Sequence, residues 1–170
     1  MIILIGYMGS GKTTIGKLLM QKTGCPFIDL DAFIEQEEQM AISEIFEKKG
    51  EIFFRKIENE YLKKLLNGKK EMVLSVGGGT PCFAGNMDIL LNATPNVMYL
   101  KASVSWLTER LISEKSLRPL IKHIQDEDME EFIRKHLFER NYYYLKAPFK
   151  ISIDHKSPEM IANEIIDYSR

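Results

Sequence analysis

Short apolar runs alternate along this chain with longer stretches of helical periodicity. Residues 1–5 are apolar and rich in isoleucine, the pattern of a strand buried on both faces of a parallel sheet. Ile15, Leu18 and Leu19 then recur at helical spacing, until Gly24 and Pro26 break the chain. Phe27 and Ile28 open a short second strand, and Phe33 and Ile34 begin a helical stretch. Ile42, Ile45 and Phe46 form another apolar face, halted by Gly50. Residues 51–66 read as one helix with a core-facing stripe of Ile52, Phe53, Ile57, Tyr61, Leu62, Leu65 and Leu66, ended by Asn67 and Gly68. Residues 72–76 form the next buried strand, 84–92 a helix, and 96–100 a further strand. Ser103 is placed to cap a helix carrying Trp106, Leu107 and Leu111. Residues 113–124 are polar and basic and read as a mobile loop. Asp126 then caps a helix with an acid-rich first turn that runs through Tyr144. Residues 149–153 are the last strand, and Ser157 with Pro158 begins the terminal helix. Strands alternating with helices predict an α/β fold around a parallel sheet.

With 170 residues, no internal repeat and no linker, the whole of 1–170 is expected to form one domain with a sizeable core. The formal net charge is −1, and the densest like-charge pairs are Lys69-Lys70 and Glu37-Glu38. That balance argues against nucleic acid or an anionic membrane as partner and leaves room for a local basic pocket. The early apolar run is far short of a spanning helix or signal peptide, so neither is expected, nor a cleaved leader before the strand. Cys25 and Cys82 lie in unlike contexts, as free thiols in a reducing cytoplasm would.

The candidate chemistry begins between the first strand and the first helix. Gly6-Tyr-Met-Gly9-Ser10-Gly11-Lys12-Thr13-Thr14 fits the P-loop pattern in full. Glycines let successive backbone N–H groups point into one concavity, and the helix start adds its positive dipole end, so the segment suits polyphosphate. Lys12 can reach the outer phosphates and the Thr13 hydroxyl can ligate Mg²⁺. Asp29 and Asp31 follow at the end of the second strand, where residues two apart point to one side and open α/β sheets bind ligands. One carboxylate near the metal and one at an acceptor hydroxyl would divide a phosphoryl transfer between them, although alone the pair reads equally well as a helix cap and a surface acid. No acid follows the strand 72–76, so Asp29 is the substitute for the metal's outer shell. Gly77, Gly78 and Gly79 after that strand suit a second close approach of backbone to ligand. Arg55 has a local ion-pair reading with Glu58, Arg118 one as a solvated charge, and Arg140 one as a ring-stacking partner of Tyr142, Tyr143 or Tyr144. Together, arginines near a site without compensating acids suit an anionic substrate beyond the nucleotide. His123, His136 and His155 show no metal-ligand spacing and are read as non-catalytic.

These stretches closely resemble the bacterial shikimate kinases over essentially the whole chain. The resemblance is carried by the segment 6–14, Phe-Ile-Asp-Leu-Asp-Ala-Phe-Ile-Glu over 27–35, and residues 42–58 with the pattern G-E-x-x-F-R-x-x-E. Ser-Val-Gly-Gly-Gly-Thr-Pro over 75–81, Leu-Arg-Pro-Leu over 117–120 and Glu-Arg-Asn-Tyr-Tyr-Tyr over 139–144 complete it. It implies a three-layer α/β/α fold of the P-loop nucleoside monophosphate kinase type, with a five-stranded parallel sheet. A substrate-binding region at about 31–62 and a lid at about 112–124 are implied with it. It implies transfer of the ATP γ-phosphate to the 3-hydroxyl of shikimate by a cytoplasmic monomer dependent on one Mg²⁺. Asp31, Lys12 and Arg118 would then be catalytic, with Gly9, Ser10, Gly11, Lys12, Thr13, Thr14, Arg110 and Arg118 on the nucleotide. Asp31, Arg55, Gly77, Gly78, Gly79 and Arg140 would hold shikimate, Glu58 would hold Arg55, and Thr13 with Asp29 would serve the metal. A kinase of another hydroxylated metabolite such as gluconate is the nearest rival, and a slow nucleotide-hydrolysing binding module the next.

Overall fold

The computed structural model describes residues 1–68, 71–118 and 120–169. Lys69-Lys70 and the proline of the Arg118-Pro119 pair lie outside the described residues. Five parallel strands, β1 (Ile2–Ile5), β2 (Phe27–Asp29), β3 (Val73–Ser75), β4 (Val97–Lys101) and β5 (Phe149–Ser152), form one sheet in the order β2-β3-β1-β4-β5. The central strands β1 and β3 are buried at every position, while edge strand β5 alternates, as expected where helices cover both faces only at the middle of a sheet. Seven helices are seen among the described residues: α1 (Lys12–Thr23), α2 (Leu30–Glu38), α3 (Ile42–Gly68), α4 (Asn86–Ala93), α5 (Val104–Ser113), α6 (Met129–Tyr144) and α7 (Pro158–Tyr168). Helix α1 packs on α7 and α5 on α6, in the three-layer α/β/α arrangement.

The register aligns the carboxyl ends of the strands. Asp29 lies beside Ser75, and Ser75 beside Leu4, so the ends of β2, β3 and β1 open together onto the loops that carry the candidate chemistry.

Three sequence expectations change. The apolar stripe of α3 runs through Phe54, which is 3% exposed, and leaves Ile52 out at 90%. Gly50, at φ 79° and ψ 170°, breaks α3, so the segment after it restarts with a new rotational phase. Asp126 does not cap α6: a 3-10 turn over Asp126–Asp128 precedes Met129, and Asp126 pairs with Lys115 at 2.8 Å. The polar segment 113–124 carries a 3-10 turn over Lys115–Leu117 and a fully buried apolar anchor, Ile121.

Candidate active site

The turn from β1 into α1 builds the first cleft. Gly11, the N-cap of α1, takes a left-handed conformation at φ 85° that turns the chain into the helix. Lys12 Nζ folds back and donates to the carbonyls of Gly6 at 2.8 Å and Tyr7 at 3.1 Å. Burial pulls its ammonium down to about 8, against the opposing pull of Asp31 and Asp29. A cleft of about 250 Å³ opens beside it, lined by Gly9, Gly11, Thr13 and Thr14 together with Asp29, Asp31, Arg110 and Arg118.

The two aspartates are not on one strand. β2 ends at Asp29 and α2 begins at Leu30, so Asp31 sits in the first helical turn. Asp29 does two things at once: Oδ1 accepts from the N–H groups of Asp31 (3.1 Å) and Ala32 (3.4 Å), and Oδ2 accepts from the Thr13 hydroxyl at 3.2 Å. A hydroxyl and a carboxylate facing each other at a phosphate-binding loop are the hard oxygen donors that Mg²⁺ takes, with phosphate and water completing its shell. Among the described residues no group of three or more His, Cys, Asp or Glu side chains could hold a metal. Asp31 is pushed up to about 6, first by burial and then by the negative charge of Asp29 and Glu58.

A second cleft of about 340 Å³ shares Met8, Asp31, Gly77, Gly78 and Arg118 with the first and adds Arg55, Glu58, Gly79 and Arg140. Arg55 is not uncompensated. Its Nη1 donates to Glu58 Oε2 at 2.9 Å, its Nε to Glu51 Oε1 at 3.3 Å, and its guanidinium lies 4.0 Å from the ring centre of Phe83. Glu58, at 1% exposed, uses its other oxygen to accept from Thr80 Oγ1 at 2.6 Å. Asn86 holds the Thr80 carbonyl at 2.9 Å, and Asn59 holds Asn86 at 2.7 Å. Both oxygens of a buried carboxylate are thereby satisfied. Thr80→Val, which keeps the shape and removes the donor, is expected to lower stability by about 1–3 kcal/mol in denaturant titration. An unchanged midpoint would show that the Thr80 hydroxyl contributes nothing.

The glycines matter here through close approach. A side chain at Gly77 would meet the Asp31 carboxylate at 2.9 Å, and one at Gly79 would meet the Arg55 guanidinium at 2.9 Å. Arg140 lies over Tyr7, 5.3 Å from the ring centre, and not on the solvent-exposed Tyr142. Among the described residues no carboxylate pairs with it. The Tyr7 hydroxyl meets His136 Nδ1 at 3.0 Å, so the ring beneath Arg140 is held from α6. Tyr144 is fully buried, and its hydroxyl donates to the Gly78 carbonyl at 2.5 Å.

Arg110 and Arg118 are also paired with an acid. Glu114 stands between them, 3.0 Å from Arg110 Nε and 2.5 Å from Arg118 Nη2. Behind Arg110 lies a pocket of about 120 Å³ that includes Trp106, Lys156, Pro158 and Ser10. The Ser10 hydroxyl is buried with no hydrogen-bond partner among the described residues.

A sequence model of shikimate kinase matches residues 8–170. The shikimate kinase of Flavobacterium psychrophilum is 49% identical over 164 residues, covering 96% of this chain and 95% of that protein. The chain belongs to the shikimate kinase family. The crystal structure of shikimate kinase from Bacteroides thetaiotaomicron superposes with a TM-score of 0.87 at 31% identity, covering 99% of this chain and 96% of that one. The Acinetobacter baumannii shikimate kinase in complex with shikimate gives 0.86 at 34% identity, covering 99% and 91%. The chain is thus an enzyme, an ATP-dependent kinase of shikimate.

Around this kinase site, sequence reasoning missed Thr80, Tyr144, Tyr7, Trp106 and Glu114. Thr80 follows the three glycines directly, and Glu114 lies four residues from two arginines, so both carried a local signal. Tyr7 reaches His136 across 129 positions and Tyr144 reaches Gly78 across 66, and no window of sequence shows either contact.

Proposed function

We propose that Asp31 orients the shikimate 3-hydroxyl and accepts its proton while Lys12 and Arg118 neutralise the γ-phosphoryl group in transfer. One observation carries this reading: Asp31 lines both clefts, the one built on the phosphate loop and the one holding Arg55 and Arg140. A phosphoryl donor in the first cleft and a hydroxyl acceptor in the second would meet at that carboxylate.

Phosphoryl transfer asks a protein mainly for positioning and charge neutralisation. Gly9, Ser10, Gly11, Lys12, Thr13 and Thr14 hold the phosphates, with Arg110 against the adenine. Arg55 and Arg140 clamp the shikimate carboxylate, and the backbone at Gly77, Gly78 and Gly79 lines the ring. Thr13 would ligate Mg²⁺ directly and Asp29 through its water shell; the ion, when bound, supplies positive charge to the phosphate oxygens. In a loose transition state the hydroxyl is deprotonated late, so Asp31 works first by orientation. The lid at about 112–124, with Arg118 and Leu120 on the wall of the second cleft, closes Arg118 over the phosphates and excludes water, which otherwise competes as acceptor. The same reading makes the enzyme a cytoplasmic monomer with small-molecule partners alone; its near-zero net charge speaks only against nucleic acid or an anionic membrane among those partners. No helix among the described residues is long and apolar enough to cross a membrane.

The test is shikimate-dependent ADP release followed across pH. With Asp31 at about 6 and Lys12 at about 8, kcat/KM is expected to rise through about 6 as Asp31 ionises, and to fall above about 8 as Lys12 loses its proton. In kcat at saturating ATP the alkaline limb moves upward, because bound phosphate favours the ammonium. ADP release indifferent to shikimate would overturn the reading, and a missing acid limb would remove Asp31 from it.

A further inference from the structure

The run from Arg110 to Arg118 sets one acid, Glu114, four residues from an arginine on either side. In a continuous helix that spacing puts all three on one face. This helix does not continue: α5 ends at Ser113, Glu114 takes φ −101° and ψ 6°, and the 3-10 turn follows. The contacts survive the break. Oε1 of Glu114 accepts from Arg110 Nε at 3.0 Å, and Oε2 accepts from Arg118 Nε at 3.2 Å and Nη2 at 2.5 Å. The backbone closes around them, with the Glu114 N–H donating to the Arg110 carbonyl and the Arg118 N–H to that of Lys115, both at 3.1 Å. Glu114 therefore stands where the helix bearing Arg110 meets the segment bearing Arg118.

We propose that Glu114 is a positioning residue that fastens Arg110 to Arg118 so that both guanidiniums face one nucleotide. The proposal rests on the reading of these two arginines as nucleotide-side groups. Two guanidiniums converging on one small cleft repel each other, and a carboxylate between them offsets that repulsion. Both arginines line the 250 Å³ cleft while held, and Glu114 itself does not. An acid standing in for phosphate would have to occupy the cleft; this one does not line it. It leaves both terminal nitrogens of Arg110, and Nη1 of Arg118, to a ligand. Partial burial works against ionisation of Glu114, but the paired guanidiniums of Arg118 and Arg110 outweigh it and hold the carboxyl below its usual range. The far side of the segment is tied down by the Lys115–Asp126 pair at 2.8 Å and by the buried Ile121.

Glu114→Gln tests this without opening a cavity, since the side chain is 29% exposed and the amide keeps its shape. The amide oxygen can accept from one arginine only, and its NH₂ faces the other. The variant is expected to lose about tenfold in kcat/KM for ATP and to bind ADP more weakly in calorimetry, with KM for shikimate within about twofold. In an Arg110→Ala/Arg118→Ala background the same change is expected to have less than about a twofold further effect on ADP binding, because both groups it positions are gone. Equal losses in both backgrounds would mark a general structural role and overturn the proposal. So would unchanged or tighter nucleotide binding. If Arg118→Ala and Arg110→Ala themselves leave ATP kinetics intact, the underlying reading of the arginines fails, which is a different result from their mattering while Glu114 does not.

Discussion

Asp31→Asn is expected to abolish most turnover and, at the same time, to make the protein more stable. The loss should be about 10²–10⁴-fold in kcat, because the amide neither accepts the hydroxyl proton nor carries the charge that aligns it. ATP should still bind, since the phosphate loop is untouched. The stability gain follows from the raised pKa. Asp31 titrates at about 6 in the folded protein against 3.8 for the ordinary group, through burial and the nearby charges of Asp29 and Glu58. The native state thus holds the Asp31 proton more tightly than the unfolded chain. That contribution to stability is present in full below 3.8 and is lost as pH rises through about 6. At neutral pH the wild type carries the whole penalty of a desolvated carboxylate, of order 1–3 kcal/mol, and asparagine carries none of it. For a domain of this size the melting temperature should rise by roughly 2–10 °C. The difference between the two proteins should shrink as pH falls below about 6. Near-normal turnover, or a melting difference independent of pH, would remove Asp31 from its assigned place.

Arg140→Ala and Arg55→Ala are both expected to weaken shikimate by about 2–4 kcal/mol, roughly 30- to 1,000-fold, with ATP affinity changed little. Their effects on the fold should differ. Removing Arg55 strips the partner from Glu58, a carboxylate 1% exposed that keeps only its Thr80 contact, so stability should fall by about 3 kcal/mol or more. Removing Arg140 orphans no carboxylate among the described residues, and the ring of Tyr7 stays held through His136, so the fold should be nearly unchanged. Shikimate titrations run beside thermal melts separate the two. Unchanged shikimate affinity in Arg140→Ala would refute the clamp, and an unaltered melt for Arg55→Ala would show Glu58 to be satisfied without it.

What the sequence determined by itself lies within short stretches. Strand, glycine turn, Lys12 and helix are contiguous, so the phosphate loop was legible as a unit, and so was the Arg55–Glu58 pair at one helical turn. The strands β1, β3 and β4 were legible because central strands buried on both faces must be apolar almost throughout. The tertiary structure decided the rest. Whether Asp31 shares a strand face with Asp29 turned on one residue, because β2 stops at Asp29 and the next turn is already helical. Which side of α3 meets the core depended on the break at Gly50, which resets the phase and puts Phe54 inside and Ile52 outside. Arg110 and Arg118, for which sequence reasoning named no acid partner, proved to be held by Glu114, and Glu51 joins Glu58 on Arg55. The order β2-β3-β1-β4-β5 brings Asp31, Gly77 and Arg140 onto one cleft although they are far apart in the chain. Local spacing encodes what one turn or one strand can do for itself. Contacts across many tens of residues exist only once the sheet has set which strand ends lie side by side.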